Sequence, residues 1–174
     1  MTGGSSLAVR AGIPTLALIL ALSACSRPAE PPETRLPLLP ESAFRVEWTG
    51  VDPVTDVVAG SRAVFAVSFR NRGSATWPDP VAAKPENPDG MSAVRLAWRW
   101  RDARDHRVIA DFGDRSDLPW PIGPGAGAIL PCEVDIPAVP GEYELEFQLV
   151  EEGIAWFDSK GAAPLVLPVS VAPR

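Results

Sequence analysis

The chain has 174 residues, with 16 Lys and Arg against 22 Asp and Glu, which gives a formal net charge of −6 at pH 7. Because a nucleic-acid interface needs an excess of positive charge, this composition argues against DNA or RNA as a partner. An acidic surface is also not attracted to anionic lipid, so a membrane location would need an anchor.

The first 24 residues have the pattern of a secretory signal. A cation, Arg10, precedes a short apolar run over residues 13–22, and small residues follow it. The run is shorter than the roughly 20 apolar residues that a membrane-spanning helix needs. Leu22-Ser23-Ala24-Cys25 resembles the lipobox of bacterial lipoproteins. This resemblance implies that residues 1–24 are removed and that Cys25 is acylated and anchors the protein to a membrane.

The residue after the lipobox cysteine is Ser26 rather than Asp. In a Gram-negative cell, the resemblance then implies the outer membrane, with the rest of the chain on its periplasmic face. Residues 25–43 are too rich in proline for a helix or a central strand, and we interpret them as a tether. In extended polyproline geometry, at roughly 3.1 Å per residue, the tether reaches about 50 Å.

Residues 44–174 are predicted to form one all-β domain, an immunoglobulin-like antiparallel β-sandwich. Helical periodicity is absent, and short alternating runs are separated by Gly, Pro and Asn or Asp. By analogy with the immunoglobulin fold we label the runs A (44–48), B (63–69), C (93–101), C′ (107–112), E (128–136), F (142–149) and G (165–171). Pro168 indicates that strand G is an edge strand.

Two residues have predicted positions in this core. Because the lipobox uses Cys25, Cys132 has no partner cysteine in the chain, and alternation places it on the same face as Leu130 and Val134. We therefore interpret Cys132 as a small buried core residue. Tyr143 follows a Gly turn at the start of strand F, which is the pattern of a tyrosine corner.

Several short segments resemble, in their order, bacterial immunoglobulin-like modules related to the four-tryptophan domain of selective-autophagy receptors. The matching positions are Asn71-Arg72-Gly73 with Trp77-Pro78, Trp98 and Trp100, Leu118-Pro119, Pro124-Gly125, Pro140-Gly141 with Tyr143, and Trp156-Phe157. In such proteins the module is mostly an accessory or interaction domain. The resemblance therefore implies binding rather than a reaction, and it implies no specific ligand.

Three groups of residues have the composition of catalytic or metal sites, and none is favoured. Glu142, Glu144 and Glu146 lie about 7 Å apart on one strand face, but such a face is normally solvated. The aspartates between residues 102 and 117 lack calcium-loop spacing and are interleaved with arginines. His106 lies in a charged turn, and the chain contains no Gly-x-Ser-x-Gly elbow. We predict no enzyme activity, no cofactor and no metal site.

The topology places the aromatic residues of three connections at one end of the sandwich. These connections are B–C (71–92), C′–E (113–127) and F–G (151–163), and they contain the candidate binding residues Trp77, Trp120, Trp156 and Phe157. The alternative is that these rings fold inward as lids over the open end. Trp98 and Trp100 on strand C are predicted to lie in the core.

Strands C and F are predicted to be antiparallel neighbours whose outer faces have opposite charge: Arg95, Arg99 and Arg101 against Glu142, Glu144 and Glu146. Mutual neutralisation then explains both charge runs. The resulting hypothesis is a lipid-anchored periplasmic adaptor with a non-catalytic binding module for an envelope protein. The alternatives are a carbohydrate-binding module for an envelope glycan and a structural subunit of an envelope complex.

Overall fold

A computed structural model describes Met1 and residues 38–52, 54, 56–83 and 91–174. The chain divides into two units, Met1–Pro32 and Glu33–Arg174, and the architecture below is that of the second. The signal sequence, Cys25 and the tether as far as Pro37 lie outside the described residues. Within the described ranges, no helix is both long enough and apolar enough to cross a bilayer.

The described part of the second unit is almost entirely β-structure. Its strands are β1 (Val46–Val51), β2 (Arg62–Asn71), β3 (Val94–Asp102), β4 (Val108–Ala110), β5 (Ser116–Asp117), β6 (Gly127–Asp135), β7 (Gly141–Glu151), β8 (Ala155–Trp156) and β9 (Leu165–Val171). A short helix, α1 (Pro80–Ala83), follows β2, and 3-10 turns span Glu41–Ala43 and Asp158–Lys160. The prediction of an all-β domain is confirmed.

The strands form two antiparallel sheets. The first has the order β1-β2-β6. The second has β3 and β7 at its centre, with β4 and β5 along the far side of β3, and β8 and β9 along the far side of β7. These sheets contain the predicted strands A, B and E, and C′, C, F and G, respectively. The domain is therefore an immunoglobulin-like β-sandwich, as predicted.

The pairing of β3 with β7 fixes the two faces of the second sheet. Its register runs from Val94 opposite Glu151 to Asp102 opposite Tyr143, which confirms that strands C and F are neighbours. Because side chains alternate along a strand, even-numbered residues of β3 and odd-numbered residues of β7 face the first sheet. We call this the inner face, and the opposite side the outer face.

Aromatic residues of β3 fill the core and join the two sheets. Trp98 and Trp100 are both buried, as predicted. Their indole N–H groups donate to the carbonyl oxygens of Glu133 (3.0 Å) and Asp135 (2.9 Å). Both acceptors belong to β6, an edge strand whose only described strand partner is β2. The two indoles therefore satisfy edge carbonyls while they bury a large apolar area.

The core predictions for Tyr143 and Cys132 are also confirmed. The Tyr143 hydroxyl donates to the Val139 carbonyl oxygen at 2.8 Å, which is the bond of a tyrosine corner. Cys132 is a free, fully buried thiol in β6. Burial disfavours the thiolate and raises the pKa of Cys132 to about 11, so the thiol is unreactive in the folded protein.

Candidate functional site

The structure buries two of the four aromatic residues that the sequence placed at one end of the sandwich. Trp77 is fully buried, and its indole N–H donates to the Ala43 carbonyl oxygen at 2.9 Å. Phe157 is also buried and packs edge-on against Trp77, with ring centroids 5.2 Å apart. These two rings are inward-folded lids. They offer no exposed ring to a ligand, which corrects the expectation of a shared aromatic surface.

Asn71 explains why this end of the domain is closed. Its buried amide donates to the carbonyl oxygens of Ala75 (2.9 Å) and Ile122 (2.8 Å) and accepts from the Gly73 N–H (2.7 Å). A side chain at Gly73 would overlap the Ala43 carbonyl group. Asn71 and Gly73, at the start of the B–C connection, therefore hold this connection against the C′–E connection and against the segment that contains Ala43.

Trp120 and Trp156 keep some exposure. Trp120 is 55% exposed, in a segment fixed by buried Leu118 and Ile122 on either side. Trp156 pairs with Val150 across β7 and β8, so its side chain lies on the outer face of the second sheet. Phe157, the residue after β8, is buried in the core, whereas Trp156 is not.

Trp156 forms one wall of a cleft on the outer face. Its ring stacks on Phe112, with centroids 3.8 Å apart and planes 20° apart. The Arg99 guanidinium lies 4.7 Å from the Phe112 centroid, and that of Arg115 lies 5.0 Å from the Trp156 centroid. We call the space that they surround the outer-face cleft. It has a volume of about 390 Å³ and is lined by Arg99, Asp111, Phe112, Arg115, Gln148, Trp156 and Asp158.

Beside the cleft, a buried carboxylate bridges two arginines. Glu146 is only 2% exposed, and its two carboxylate oxygens contact Arg99 Nη2 (2.5 Å) and Arg101 Nε (2.7 Å). This contact confirms that the charged faces of strands C and F neutralise each other. The pairing is concentrated in Glu146, because Arg95 contacts Asp117 (2.7 Å) and Glu142 accepts from Ser170 (2.7 Å).

Gln148 forms the floor of the cleft, and its polar atoms are unsatisfied. The residue is 1% exposed, and neither Nε2 nor Oε1 has a hydrogen-bond partner among the described residues. The residue opposite it in β3, Ala97, has no polar side chain to offer. Arg99 Nε is buried without a partner in the same part of the structure. A buried polar group without a hydrogen-bond partner is destabilising, so the presence of Gln148 at this position is not explained by a contribution to the stability of the fold.

The formal charges of the lining balance. Arg99 and Arg115 contribute two positive charges, and Asp111 and Asp158 contribute two negative charges. Arg115 is held in place by Glu152, at 3.1 Å, and by the Gly113 carbonyl oxygen, at 2.9 Å. The cleft lining itself therefore has no formal net charge, and each of its two arginines is paired with a neighbouring glutamate.

Several of the residues that resembled catalytic or metal sites in the sequence are engaged in surface contacts. His106 is exposed, and its Nδ1 lies 2.8 Å from Glu144 Oε2. Asp105 lies 3.7 Å from Arg107 Nε, and Asp117 pairs with Arg95. Within the described ranges, no three His, Cys, Asp or Glu side chains come together in a metal-binding arrangement.

A larger cavity, of about 460 Å³, opens between the segment after β1 and strand β9. Its lining is mainly apolar and includes Val51, Val54, Phe65 and Val169. None of the unsatisfied buried side-chain atoms in the described ranges belongs to its lining. The outer-face cleft is therefore the stronger candidate site.

Sequence reasoning named Trp156 but missed Phe112, Arg115 and Gln148 as its neighbours. One local signal was present. The outward positions of β7 are glutamates at 142, 144 and 146, and the next outward residue is the neutral Gln148. A neutral amide that ends a row of carboxylates marks a change of environment along the strand.

Comparison with solved structures finds similarity to several β-domains at low sequence identity. A CARDB domain from Pyrococcus furiosus, solved in complex with di-metal ions, is 14% identical over 75% of this chain and 91% of its own, with a TM-score of 0.43. The sporulation control protein Spo0M from Bacillus subtilis is 13% identical over 75% of this chain and 49% of its own, with a TM-score of 0.41. A PapD-like domain of human CEP192 is 10% identical over 89% of this chain and 96% of its own, with a TM-score of 0.33.

These similarities are too low to support an argument about a ligand. No protein-family model matches the chain, and no curated protein matches it in sequence. The functional argument therefore rests on the residues of the site.

Proposed function

We propose that the protein is a lipid-anchored accessory lipoprotein of the cell envelope whose immunoglobulin-like domain is a non-catalytic binding module. The anchor is Cys25, through the resemblance of Leu22-Ser23-Ala24-Cys25 to a lipobox. The acidic net charge and the proline-rich tether support a domain held away from an anionic membrane rather than adsorbed to it.

The outer-face cleft is the binding site in this proposal. The observation that supports it is the buried Gln148 amide, which has no described partner for either polar atom and lines the cleft. Binding is favoured over catalysis because the Glu146 carboxylate is ion-paired with both Arg99 and Arg101, and its Oε2 accepts a hydrogen bond from Arg101 Nε. A carboxylate held in this way is poorly placed for proton transfer to or from a ligand.

Two classes of partner were expected, an envelope protein and an envelope glycan. A flat platform of Trp77, Trp120 and Trp156 is not formed, so glycan binding by that platform is not supported. The cleft has a volume of only about 390 Å³, and most of its lining side chains are charged or polar. These properties favour the insertion of one polar group of a partner over a broad apolar contact.

Photo-crosslinking in the native envelope tests the location of the site. A photo-reactive residue in place of Asp158 lies at the cleft, and one in place of Val64 lies exposed on the first sheet. We expect a specific envelope adduct from position 158 and none from position 64. Equal adducts from both positions, or none from position 158, would exclude the cleft as the binding site.

The anchor has its own test. The Cys25→Ala variant should be released into the periplasm or retained as an unprocessed precursor, because no acylation site remains in the lipobox. Fractionation and gel mobility measure this. A variant that stays membrane-bound with the mobility of the mature protein would contradict the lipoprotein assignment.

A further inference from the structure

We infer that the cavity between the segment after β1 and strand β9, here called the β9 cavity, binds a basic segment of a partner protein. The segment inserts one apolar side chain into the cavity and places a lysine or arginine at its mouth. This second site is separate from the outer-face cleft and goes beyond the proposed function. Three features support it: the apolar lining, two carboxylates without described partners, and the free edge of β9.

The β9 cavity lies at an edge of each sheet. β1 is an edge strand of the first sheet, and the only described strand partner of β9 is β7. Phe65, a buried core residue, lines the cavity together with Val51, Val54, Leu167 and Val169. A volume of about 460 Å³ is enough for a large apolar side chain, and this lining makes the burial of such a side chain favourable.

Two carboxylates at the cavity have no partner in the described part of the chain. Asp52 and Asp56 are exposed members of the lining, and neither carboxylate has a hydrogen bond or an ion pair there. No Lys or Arg is among the described lining residues. The mouth therefore carries negative charge that the chain does not neutralise, unlike the outer-face cleft, where two arginines balance two aspartates. A cation beside the inserted apolar group complements this charge.

The edge of β9 favours a polypeptide over a small amine. Ala172, which follows β9, already uses this edge: its N–H donates to the Val57 carbonyl oxygen (2.8 Å), and its own carbonyl accepts from the Ala59 N–H (2.9 Å). Because backbone groups alternate between the two sides of a strand, those of Pro168 and Ser170 also point away from β7. No described backbone group is bonded to them on that side. An extended segment can therefore add to this edge beside the cavity.

Pro168 restricts this addition to a short segment. Because proline has no N–H, a long partner strand would lose a ladder bond in the middle of β9. Binding must then depend on the inserted apolar side chain and on the cation. A second copy of this chain paired edge to edge is a poor occupant, because it would bring like carboxylates together.

Peptide titration tests the ligand chemistry. The full-length lipidated protein, in micelles of a non-ionic detergent, is titrated into the fluorescently labelled peptide Thr-Lys-Leu-Lys-Thr, with protein-free micelles as the blank. We expect saturable binding that weakens as the salt concentration is raised. Thr-Lys-Ser-Lys-Thr, which lacks the apolar side chain, should bind about tenfold more weakly. Thr-Glu-Leu-Glu-Thr should not bind, because its charge is opposite.

Variants that remove one charge locate the binding. Asp52→Asn and Asp56→Asn keep the size of the side chain, and asparagine tolerates the left-handed backbone of Asp56 (φ 60°). Each should weaken the binding of Thr-Lys-Leu-Lys-Thr about threefold. The matched control is Asp114→Asn, at an exposed position outside the lining, which should bind as the wild type does. Val54→Phe enlarges a lining side chain and should abolish binding, because the ring occupies the cavity.

Three results would overturn the inference: no binding of Thr-Lys-Leu-Lys-Thr, equal affinity for the basic and acidic peptides, or the same affinity in Asp52→Asn, Asp56→Asn and Asp114→Asn. So would self-association of the protein that Val54→Phe removes, because a second copy would then occupy the cavity. The envelope adduct expected from position 158 concerns the outer-face cleft, so its presence or absence tests the proposed function alone.

Discussion

The inner and outer faces of β3 and β7 belong to the same two strands, yet their buried polar side chains differ in whether they have hydrogen-bond partners. On the inner face, the indoles of Trp98 and Trp100 and the hydroxyl of Tyr143 each donate to a backbone carbonyl. On the outer face, Gln148 is equally buried and has no described partner. The comparison teaches that burial alone does not identify a core, because these inner-face donors are matched with backbone carbonyls whereas the buried Gln148 amide on the outer face is not.

The largest expected effect is on the inner face. Trp100→Ala should lower the free energy of unfolding by about 3–5 kcal/mol, because it leaves a cavity between the sheets and frees the Asp135 carbonyl at the edge of β6. Denaturant unfolding followed by circular dichroism measures the change. The control Trp100→Phe keeps most of the volume and should lose about 1 kcal/mol, chiefly the hydrogen bond.

A loss of less than about 1 kcal/mol in Trp100→Ala would break the comparison, since it would show that the inner face contributes no more than an ordinary surface. Equal losses in the Phe and Ala variants would locate the effect in the hydrogen bond rather than in packing.

The second effect is on the outer face and is smaller. Glu146→Gln should lower the free energy of unfolding by about 2 kcal/mol, because it leaves Arg99 and Arg101 without their shared carboxylate. The matched control is Glu142→Gln, an exposed position on the same face of β7, where the change should be less than about 0.5 kcal/mol. The same unfolding measurement applies. Equal effects at the two positions would show that the buried ion pairs of Glu146 with Arg99 and Arg101 contribute no more to stability than an exposed carboxylate does.

The sequence predicted the strands and the inner face well, because alternation is a local pattern that each strand displays by itself. The analogy with the immunoglobulin fold also predicted that β3 pairs with β7, and the opposite charges of the two alternating runs agreed with that pairing. The fate of Trp77 was less predictable, since its burial depends on the Ala43 carbonyl, far from it in the chain. The outer-face cleft could not be predicted, because Phe112 and Trp156 cover Gln148 from separate connections. Alternation predicts that a residue points outward, and Glu146 shows that outward is not the same as exposed.

The smallest expected effect concerns Glu151, an inner-face residue at the end of β7 whose buried carboxylate is not fully hydrogen-bonded. It is 1% exposed, its Oε1 accepts only a long hydrogen bond from the Leu39 N–H (3.4 Å), and its Oε2 has no described partner. Burial raises the pKa of Glu151 above its ordinary value of 4.5, although the Leu39 N–H and the charge of Lys160 oppose this shift.

A raised pKa means that the folded state holds the proton more tightly than the unfolded state. The contribution of Glu151 to the free energy of unfolding is then fully present below pH 4.5 and is lost as the pH rises through the folded-state value. Glu151→Gln removes this decline and should raise the free energy of unfolding at pH 7 by about 1 kcal/mol or less. Unfolding curves of both proteins between about pH 4 and pH 7 measure the difference, and the variant should show the flatter profile. If Glu151→Gln is instead less stable at pH 7, the carboxylate gains more from Lys160 than it loses by burial, and the inner face is satisfied along its whole length.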